Sequence, residues 1–197
     1  IPADAVAVVV VGDGLLTPAD VAAVARDRAR MELSAEGAET MRRARGIVDD
    51  HVRLGAPIYG LTTGLGANAD IVITAEELLG FQESVPRSHS VGMGPPLPTV
   101  SVRAMMAARV ASMSAGGSGA SEQALRALID ALNVGIHPIV PSWGSIGAAD
   151  LAPLAHVARA LTGEGLVEFR GETLDAGEAL SRAGLRPVSI SGRDGHA

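Results

Sequence analysis

The chain has 197 residues, a formal net charge of −6 and no cysteine. This length supports one domain with a substantial core, and the lack of cysteine excludes a disulfide framework and a cysteine-based metal site. All 16 basic residues are arginine, they form no basic tract, and only four residues are aromatic, so nucleic acid is not an expected partner.

The most hydrophobic stretch is Val6 to Val11, near the start of the chain. It is far shorter than the roughly 18 apolar residues that suggest a membrane span, so no membrane association is expected. The stretch is instead predicted to form a short strand. The sequence shows no signal-peptide pattern, and we therefore expect a cytoplasmic protein with small-molecule or protein partners.

Hydroxyl side chains that precede periodic apolar segments predict where helices begin. Thr17 stands directly before Pro18, which places a capping hydroxyl in front of a proline at the first helical position. Ser34 and Ser121 are further candidate N-caps. The recurrence of these signals predicts a mainly α-helical chain.

A helix is also predicted in the second quarter of the chain. Thr74 and Glu77 have the spacing of a capping box. The helix is expected to run from there toward Val85, where Pro86 should interrupt it.

Two segments in the second half complete the predicted elements. Val100 to Ser114 is helical in pattern and carries only Arg103 and Arg109 as charged residues, so this helix should be mostly buried, in a bundle or an oligomer. Leu166 to Leu174 alternates apolar and polar residues around a glycine, which predicts a small hairpin.

Three motifs in the sequence carry a family resemblance. Tyr59 to Gly66 reads Tyr-Gly-Leu-Thr-Thr-Gly-Leu-Gly, Ser88 to Gly94 reads Ser-His-Ser-Val-Gly-Met-Gly, and Gly144 to His156 reads Gly-Ser-Ile-Gly-Ala-Ala-Asp-Leu-Ala-Pro-Leu-Ala-His. In this order they resemble segments of the aromatic amino acid lyases, the family of histidine, tyrosine and phenylalanine ammonia-lyases and related aminomutases.

The resemblance implies a fold and a mode of assembly. Residues 1–197 would form a single domain, the N-terminal portion of the helical ammonia-lyase fold, which is similar to fumarase and aspartase, with small β elements. The C-terminal helical part of such proteins would be missing, in a truncated chain, a fragment or a natural half protein. The family also implies a homotetramer and an aromatic amino acid as the small-molecule partner.

The same resemblance assigns roles to three residues. Tyr59 matches the tyrosine that removes a β-proton from the substrate. Gly66 matches a residue whose backbone amide is a donor near the electrophile, and His89 matches the residue that contacts the substrate ring. The alternatives from the residues alone are a tyrosine that anchors its loop through its hydroxyl and a helix-end histidine bonded to the backbone. Arg87 replaces a usually apolar residue and could alter the charge of the pocket.

The third motif departs from the family at the residues that form its cofactor. The family reads Gly-Ala-Ser-Gly-Asp-Leu, and its Ala-Ser-Gly cyclises and dehydrates into a methylidene-imidazolone. Here Gly147 is followed by Ala148, Ala149 and Asp150. The glycine nitrogen needed for ring closure and the serine hydroxyl needed for dehydration are both absent, so the residues argue against this cofactor. Asp150 is predicted to cap the helix that follows.

Other binding chemistries find no support in the sequence. The glycine-rich run that ends at Gly66 lacks the lysine and the spacing of a nucleotide loop. The histidines show no metal-ligand spacing, and His156 is interpreted as a structural residue. Two functions therefore stay open. The first is an ammonia-lyase or aminomutase. The second is a lyase-like protein that lacks the electrophile and serves in binding or assembly or performs different chemistry.

Overall fold

The computed structural model describes residues 7–147, 151–191 and 194. Over these residues helices dominate, which confirms the predicted fold class. The α-helices are α1 Pro18–Arg26, α2 Ala35–Leu54, α3 Ala75–His89, α4 Thr99–Ser114, α5 Glu122–Val134, α6 Leu151–Leu161 and α7 Ala176–Arg182. The strands are β1 Val8–Val11, β2 Arg30–Leu33, β3 Met93–Pro96, β4 Ile136–Pro138, β5 Pro141–Trp143, β6 Leu166–Phe169 and β7 Glu172–Asp175.

The predicted helix starts are confirmed by their hydrogen bonds. The Thr17 hydroxyl accepts the Asp20 amide at 3.2 Å, and the Asp20 carboxylate accepts the Thr17 amide at 2.9 Å. Ser34 and Ser121 cap α2 and α5 in the same way through their hydroxyls. These side chains satisfy amide groups that have no partner inside the helix.

Helix α3 begins as predicted and ends later than predicted. Thr74 and Glu77 form the expected capping box. The expectation that Pro86 interrupts the helix is wrong, because α3 continues to His89. Proline lacks the amide that would bond the carbonyl four residues earlier, but the carbonyl of Pro86 still accepts the Ser90 amide at 3.0 Å, so the helix continues beyond it.

The small sheets lie between the helices. Strand β1 pairs in parallel with β2, β3 pairs antiparallel with β5, and β4, β6 and β7 form an antiparallel sheet. The predicted hairpin is confirmed as β6 and β7, and its turn places Arg170 and Gly171 at φ 54° and 83°, as a two-residue hairpin loop requires. The predicted N-terminal strand covers Val8–Val11, and Val6 lies outside the described residues.

Helix α4 lies in the core and packs against α1, α2 and α5. Its buried residues recur at helical spacing and include Val102, Met106 and Val110. The prediction of an apolar helix over Val100 to Ser114 is thus confirmed, with its first residue at Thr99.

Arg103 is the one ionisable group of α4 that lies deep in this core, with 3% of its surface exposed. Its guanidinium donates to the Val24 carbonyl at 3.0 and 2.7 Å and to the Leu132 carbonyl at 3.0 Å. Val24 lies in the last turn of α1 and Leu132 in the last turn of α5, where carbonyls lack helical partners and the helix dipole is negative. A single cation thus joins two helix C-termini.

His137 on β4 completes this polar cluster. Its Nε2 lies 2.9 Å from Nη1 of Arg103, and because arginine only donates, Nε2 must accept and the ring is neutral. Burial, and then the charge of Arg103, lower the pKa of His137 to about 4.

This pKa predicts a loss of stability in acid. An unfolded histidine titrates near 6.5, so the contribution of neutral His137 is complete above that pH and is lost as the pH falls toward 4. The loss should be on the order of 3 kcal/mol. Urea unfolding of the chain and of His137→Gln between pH 7 and 4 tests this, because glutamine can still accept from Arg103 and cannot be protonated. Parallel pH dependences of the two proteins would contradict the prediction.

Candidate functional site

The loop after α2 brings two of the predicted site residues together. The Gly66 amide donates a hydrogen bond to Oη of Tyr59 at 3.0 Å. Gly66 has φ 56°, a conformation that favours glycine, and it begins a short 3-10 helix that turns this amide toward the tyrosine. Because 58% of Tyr59 is exposed, its hydroxyl is both fixed by a donor and open to a small molecule.

Side chains around Tyr59 hold this loop in shape. The Thr62 hydroxyl accepts the Ile58 amide at 2.7 Å and donates to the Ala56 carbonyl at 2.5 Å. A Cβ atom at Gly64 would lie 2.6 Å from the Asn68 carbonyl oxygen, so a larger residue would disturb the turn. Specific hydrogen bonds and close packing therefore hold the Tyr59 loop in one conformation.

Gln82 connects the Tyr59 loop to α3 and was not among the residues predicted from the sequence. Its Nε2 donates to the Gly60 carbonyl at 3.1 Å, and the side chain is fully buried. Gln82 shares a helix face with the buried residues Leu78 and Val85. A polar residue on an apolar face needs a partner, and that was the signal in the sequence.

His89 ends α3 and bonds to the backbone. Its Nδ1 lies 3.0 Å from the Val85 carbonyl oxygen and 3.0 Å from the Ser88 hydroxyl. The alternative of a helix-end histidine is thus what the geometry shows, and it leaves Nε2 as the other polar atom of the ring. Within the described part of the chain, no hydrogen bond joins His89 to Tyr59 or Gly66.

Arg87 is paired across the structure with Glu164, which follows α6. Its Nε lies 2.8 Å from Oε1 of Glu164, and this contact lowers the pKa of the glutamate. Nε of Arg159 lies 3.4 Å from the same carboxylate, and its Nη1 lies 3.4 Å from the Ser90 hydroxyl. The charge of Arg87 is thus compensated by an ion pair, which limits the effect expected from its presence in this motif.

The segment after His89 packs closely on the flanks of the third motif. The Gly92 amide donates to Nε2 of His156 at 3.2 Å. A Cβ atom at Gly144 would lie 3.1 Å from both Cβ of Ala152 and Cα of Gly92. Gly144 precedes residues 145–150 and Ala152 follows them, so the two ends of this loop meet beside Gly92.

The loop itself is described only as far as Gly147. Gly147 has φ 74°, and its amide donates to the Ser145 hydroxyl at 3.2 Å. The predicted loop residues Ala148, Ala149 and Asp150 lie outside the described residues, and so does the predicted cap. Helix α6 begins directly afterwards, at Leu151.

The residues present do not fit the family's cofactor. Its formation needs a hydroxyl that leaves and a glycine nitrogen that attacks, and alanine at positions 148 and 149 supplies neither. The nearest described hydroxyl, Ser145, accepts a backbone amide and stands before Gly147. No step of the chemistry below is therefore assigned to a methylidene-imidazolone.

Two further properties of the described residues bear on binding. They contain no group of three or more histidine, aspartate or glutamate side chains placed to hold a metal ion. None of their helices combines the length and the apolar character that crossing a membrane requires.

The fold is that of the helical ammonia-lyase class. The chain belongs to the aromatic amino acid lyase family, whose model matches residues 16–197. The resemblance inferred from the three motifs is thus confirmed.

Individual relatives define the similarity further. A probable histidine ammonia-lyase of Halobacterium salinarum is 42% identical over 190 residues, which are 96% of this chain and 36% of the relative. Among solved structures, ergothionase of Treponema denticola has 32% identity and a TM-score of 0.93, covering 95% of this chain and 38% of that one. Tyrosine aminomutase of Streptomyces globisporus has 34% identity and a TM-score of 0.89, covering 95% and 35%. The chain thus spans little more than a third of the length of these proteins.

Proposed function

We propose that this chain forms the base-bearing side of a pocket in which an amine is eliminated from an aromatic amino acid. The supporting observation is the hydrogen bond from the Gly66 amide to Oη of Tyr59 at 3.0 Å. A donor at this distance stabilises the phenolate, which is the form that can take a β-proton. Tyr59 is the base in this proposal, and Gly66 is its backbone partner.

An imidazole ring is the substrate side chain that we favour. Curated relatives include a probable and a named histidine ammonia-lyase, and His89 keeps a second ring nitrogen for a polar atom of the substrate. Residues that recognise such a ring by hydrogen bonding would reject a phenyl ring, because they would leave a buried polar group without a partner. His89 is the proposed ring-contact residue.

The altered loop points to a particular leaving group. A primary amine needs an electrophile to become a good leaving group, and Ala148 and Ala149 cannot form one. A quaternary trimethylammonium group has no lone pair with which to add to an electrophile, and it carries a permanent positive charge that makes it a leaving group in its own right. Loss of trimethylamine from a betaine substrate therefore does not require the cofactor to activate the leaving group.

The chemical step for such a betaine balances without a cofactor. The Tyr59 phenolate takes the β-proton, the C–H electrons form the Cα–Cβ double bond, and the Cα–N bond breaks with its electron pair on nitrogen. Trimethylamine and a trans-α,β-unsaturated acid are the products. The Treponema denticola relative is an ergothioneine-degrading enzyme, and ergothioneine is an imidazole-type amino acid with a fully methylated nitrogen, which supports this class of substrate.

The test compares two probes that differ only at nitrogen, histidine and its trimethylbetaine. With the betaine we expect ultraviolet absorbance of the unsaturated acid and release of trimethylamine, both abolished by Tyr59→Phe, which removes one hydroxyl. Release of ammonia from histidine would contradict the assigned leaving group. Binding of the betaine by calorimetry without turnover would contradict the proposed elimination and favour the alternative of a lyase-like binding protein.

We further propose that the protein self-associates. Its membership of the family implies a homotetramer. Large apolar side chains beside the site are exposed, with Val91 at 67%, Met93 at 70%, Trp143 at 67% and Ile146 at 85%. Exposed apolar patches of this kind mark interaction surfaces. A cytoplasmic location stays a prediction from the sequence.

Light scattering across a wide range of concentrations tests self-association. We expect a mass above that of the monomer, and we expect Met93→Glu to reduce it, because a charge at this position would be desolvated in an interface. Leu15→Glu is the matched control, since Leu15 is 97% exposed and lies away from these residues in sequence. A monomer at every concentration would contradict the proposal.

A further inference from the structure

His156 lies in α6, past the first turn, and its imidazole holds a backbone amide of another segment. Nε2 of His156 accepts the Gly92 amide at 3.2 Å. Because an amide only donates, Nε2 must be unprotonated, and the proton of the neutral ring is on Nδ1. The contact is close, since a Cβ atom at Gly92 would lie 3.0 Å from Nε2.

This hydrogen bond lies where three parts of the proposed site meet. Gly92 is three residues past His89, the proposed ring-contact residue. Gly144 and Ala152 flank the altered loop and pack on each other, and Gly144 also packs on Gly92. A change in the bond between His156 and Gly92 would therefore move the segment that carries His89 relative to the helix that follows the loop.

We propose that His156 is a positioning residue that fixes the Ser88 to Gly94 segment on α6 and so sets the place of His89 in the pocket. This role rests on the elimination proposed above. His156 does not touch the reacting atoms in this scheme, and its effect is transmitted through the backbone of Gly92. The interpretation of His156 as a structural residue is thus extended to a role at the site.

The charges near His156 favour its neutral form. Burial, and then the charge of Arg159 on the same helix, lower the pKa of His156. Of the ionisable residues on α3, Arg87 and His89 are the nearest to Gly92 in sequence, and Arg87 is paired with Glu164. Strands β3 and β5 carry no ionisable side chain. The hydrogen bond should therefore persist at neutral pH and be lost in acid.

Amide hydrogen exchange of the 197-residue chain, followed by NMR, tests this role without any substrate. His156→Leu should speed exchange at Gly92 by about tenfold, as expected for the loss of one hydrogen bond. His156→Gln keeps an acceptor and should stay closer to the wild-type rate. His51→Leu is the matched control, because His51 bonds the carbonyl of Ile47 in its own helix, and it should leave the exchange at Gly92 unchanged.

A second readout uses the wild-type chain alone, so it does not depend on the folding of a variant. The imidazole signals of His156 and the amide signal of Gly92 should shift with one common midpoint, which should lie below the ordinary pKa of histidine. Independent titration of the two groups, or unchanged Gly92 exchange in a folded His156→Leu chain, would overturn the proposal.

Kinetic measurements with the betaine distinguish the positioning role of His156 from the proposed elimination. If the betaine is converted, His156→Leu should raise KM or lower kcat, and His156→Gln should restore much of the loss. Normal kinetics of His156→Leu would overturn the positioning role while leaving the elimination intact. Failure of the wild-type chain to convert the betaine, with Gly92 protected by His156, would refute the elimination and leave the hydrogen bond established.

Discussion

Replacement of Arg103 by alanine is expected to lower the free energy of unfolding by about 3 to 5 kcal/mol. The guanidinium satisfies the Val24 and Leu132 carbonyls at two helix C-termini and also reaches His137. Among the described residues no carboxylate forms an ion pair with Arg103. Alanine would leave both carbonyls and the histidine nitrogen buried without a donor, next to the cavity left by the lost side chain.

Two variants make this prediction specific. Arg103→Lys keeps the positive charge but cannot present the planar fork that reaches two carbonyls at once, so an intermediate loss is expected. Arg126→Ala is the matched control, because Arg126 pairs with Glu122 at the surface with 53% of its side chain exposed, and such pairs contribute less than about 1 kcal/mol. Urea unfolding measures all three variants. A loss for Arg103→Ala no larger than that for Arg126→Ala would contradict this account.

The predictable parts of this structure depend on contacts between neighbours in sequence. The caps at Thr17 and Thr74 act over three residues, and Tyr59 and Gly66 lie seven residues apart. In motifs this short, the residues of the motif themselves largely determine its conformation. For that reason the helix starts could be inferred from the sequence, and the family resemblance indicated that Tyr59 and Gly66 belong to one motif.

Long-range contacts could not be inferred in this way. Arg103 reaches Val24 across 79 positions, and His156 reaches Gly92 across 64. A charge in an apolar helix indicates that a buried partner exists, but the spacing does not say which carbonyl it is. The course of α3 through Pro86 also depends on its surroundings, since Pro86 is buried and tertiary packing outweighs the local preference of proline.

This chain is not expected to release ammonia from histidine, tyrosine or phenylalanine at the rate of a lyase. The β-proton of an amino acid is weakly acidic and its amine is a poor leaving group, so a base alone leaves most of the barrier in place. Tyr59, even with the Gly66 amide beside it, supplies only the base. General base catalysis contributes about 10²- to 10⁴-fold, far less than the elimination of an unactivated primary amine at an enzymatic rate requires.

The intact mass of the chain tests the chemical reason for this prediction. Cyclisation and dehydration at the loop would remove two waters, and we expect the mass encoded by the sequence with no such loss. Incubation with each amino acid, followed by ultraviolet absorbance of the unsaturated acid, tests the consequence. Product that forms rapidly and disappears in Tyr59→Phe would overturn the prediction and require an electrophile of another origin. An unmodified mass together with an inert amino acid and a reactive betaine would instead assign the activity to the leaving group, because Ala148 and Ala149 offer no route to activate a primary amine.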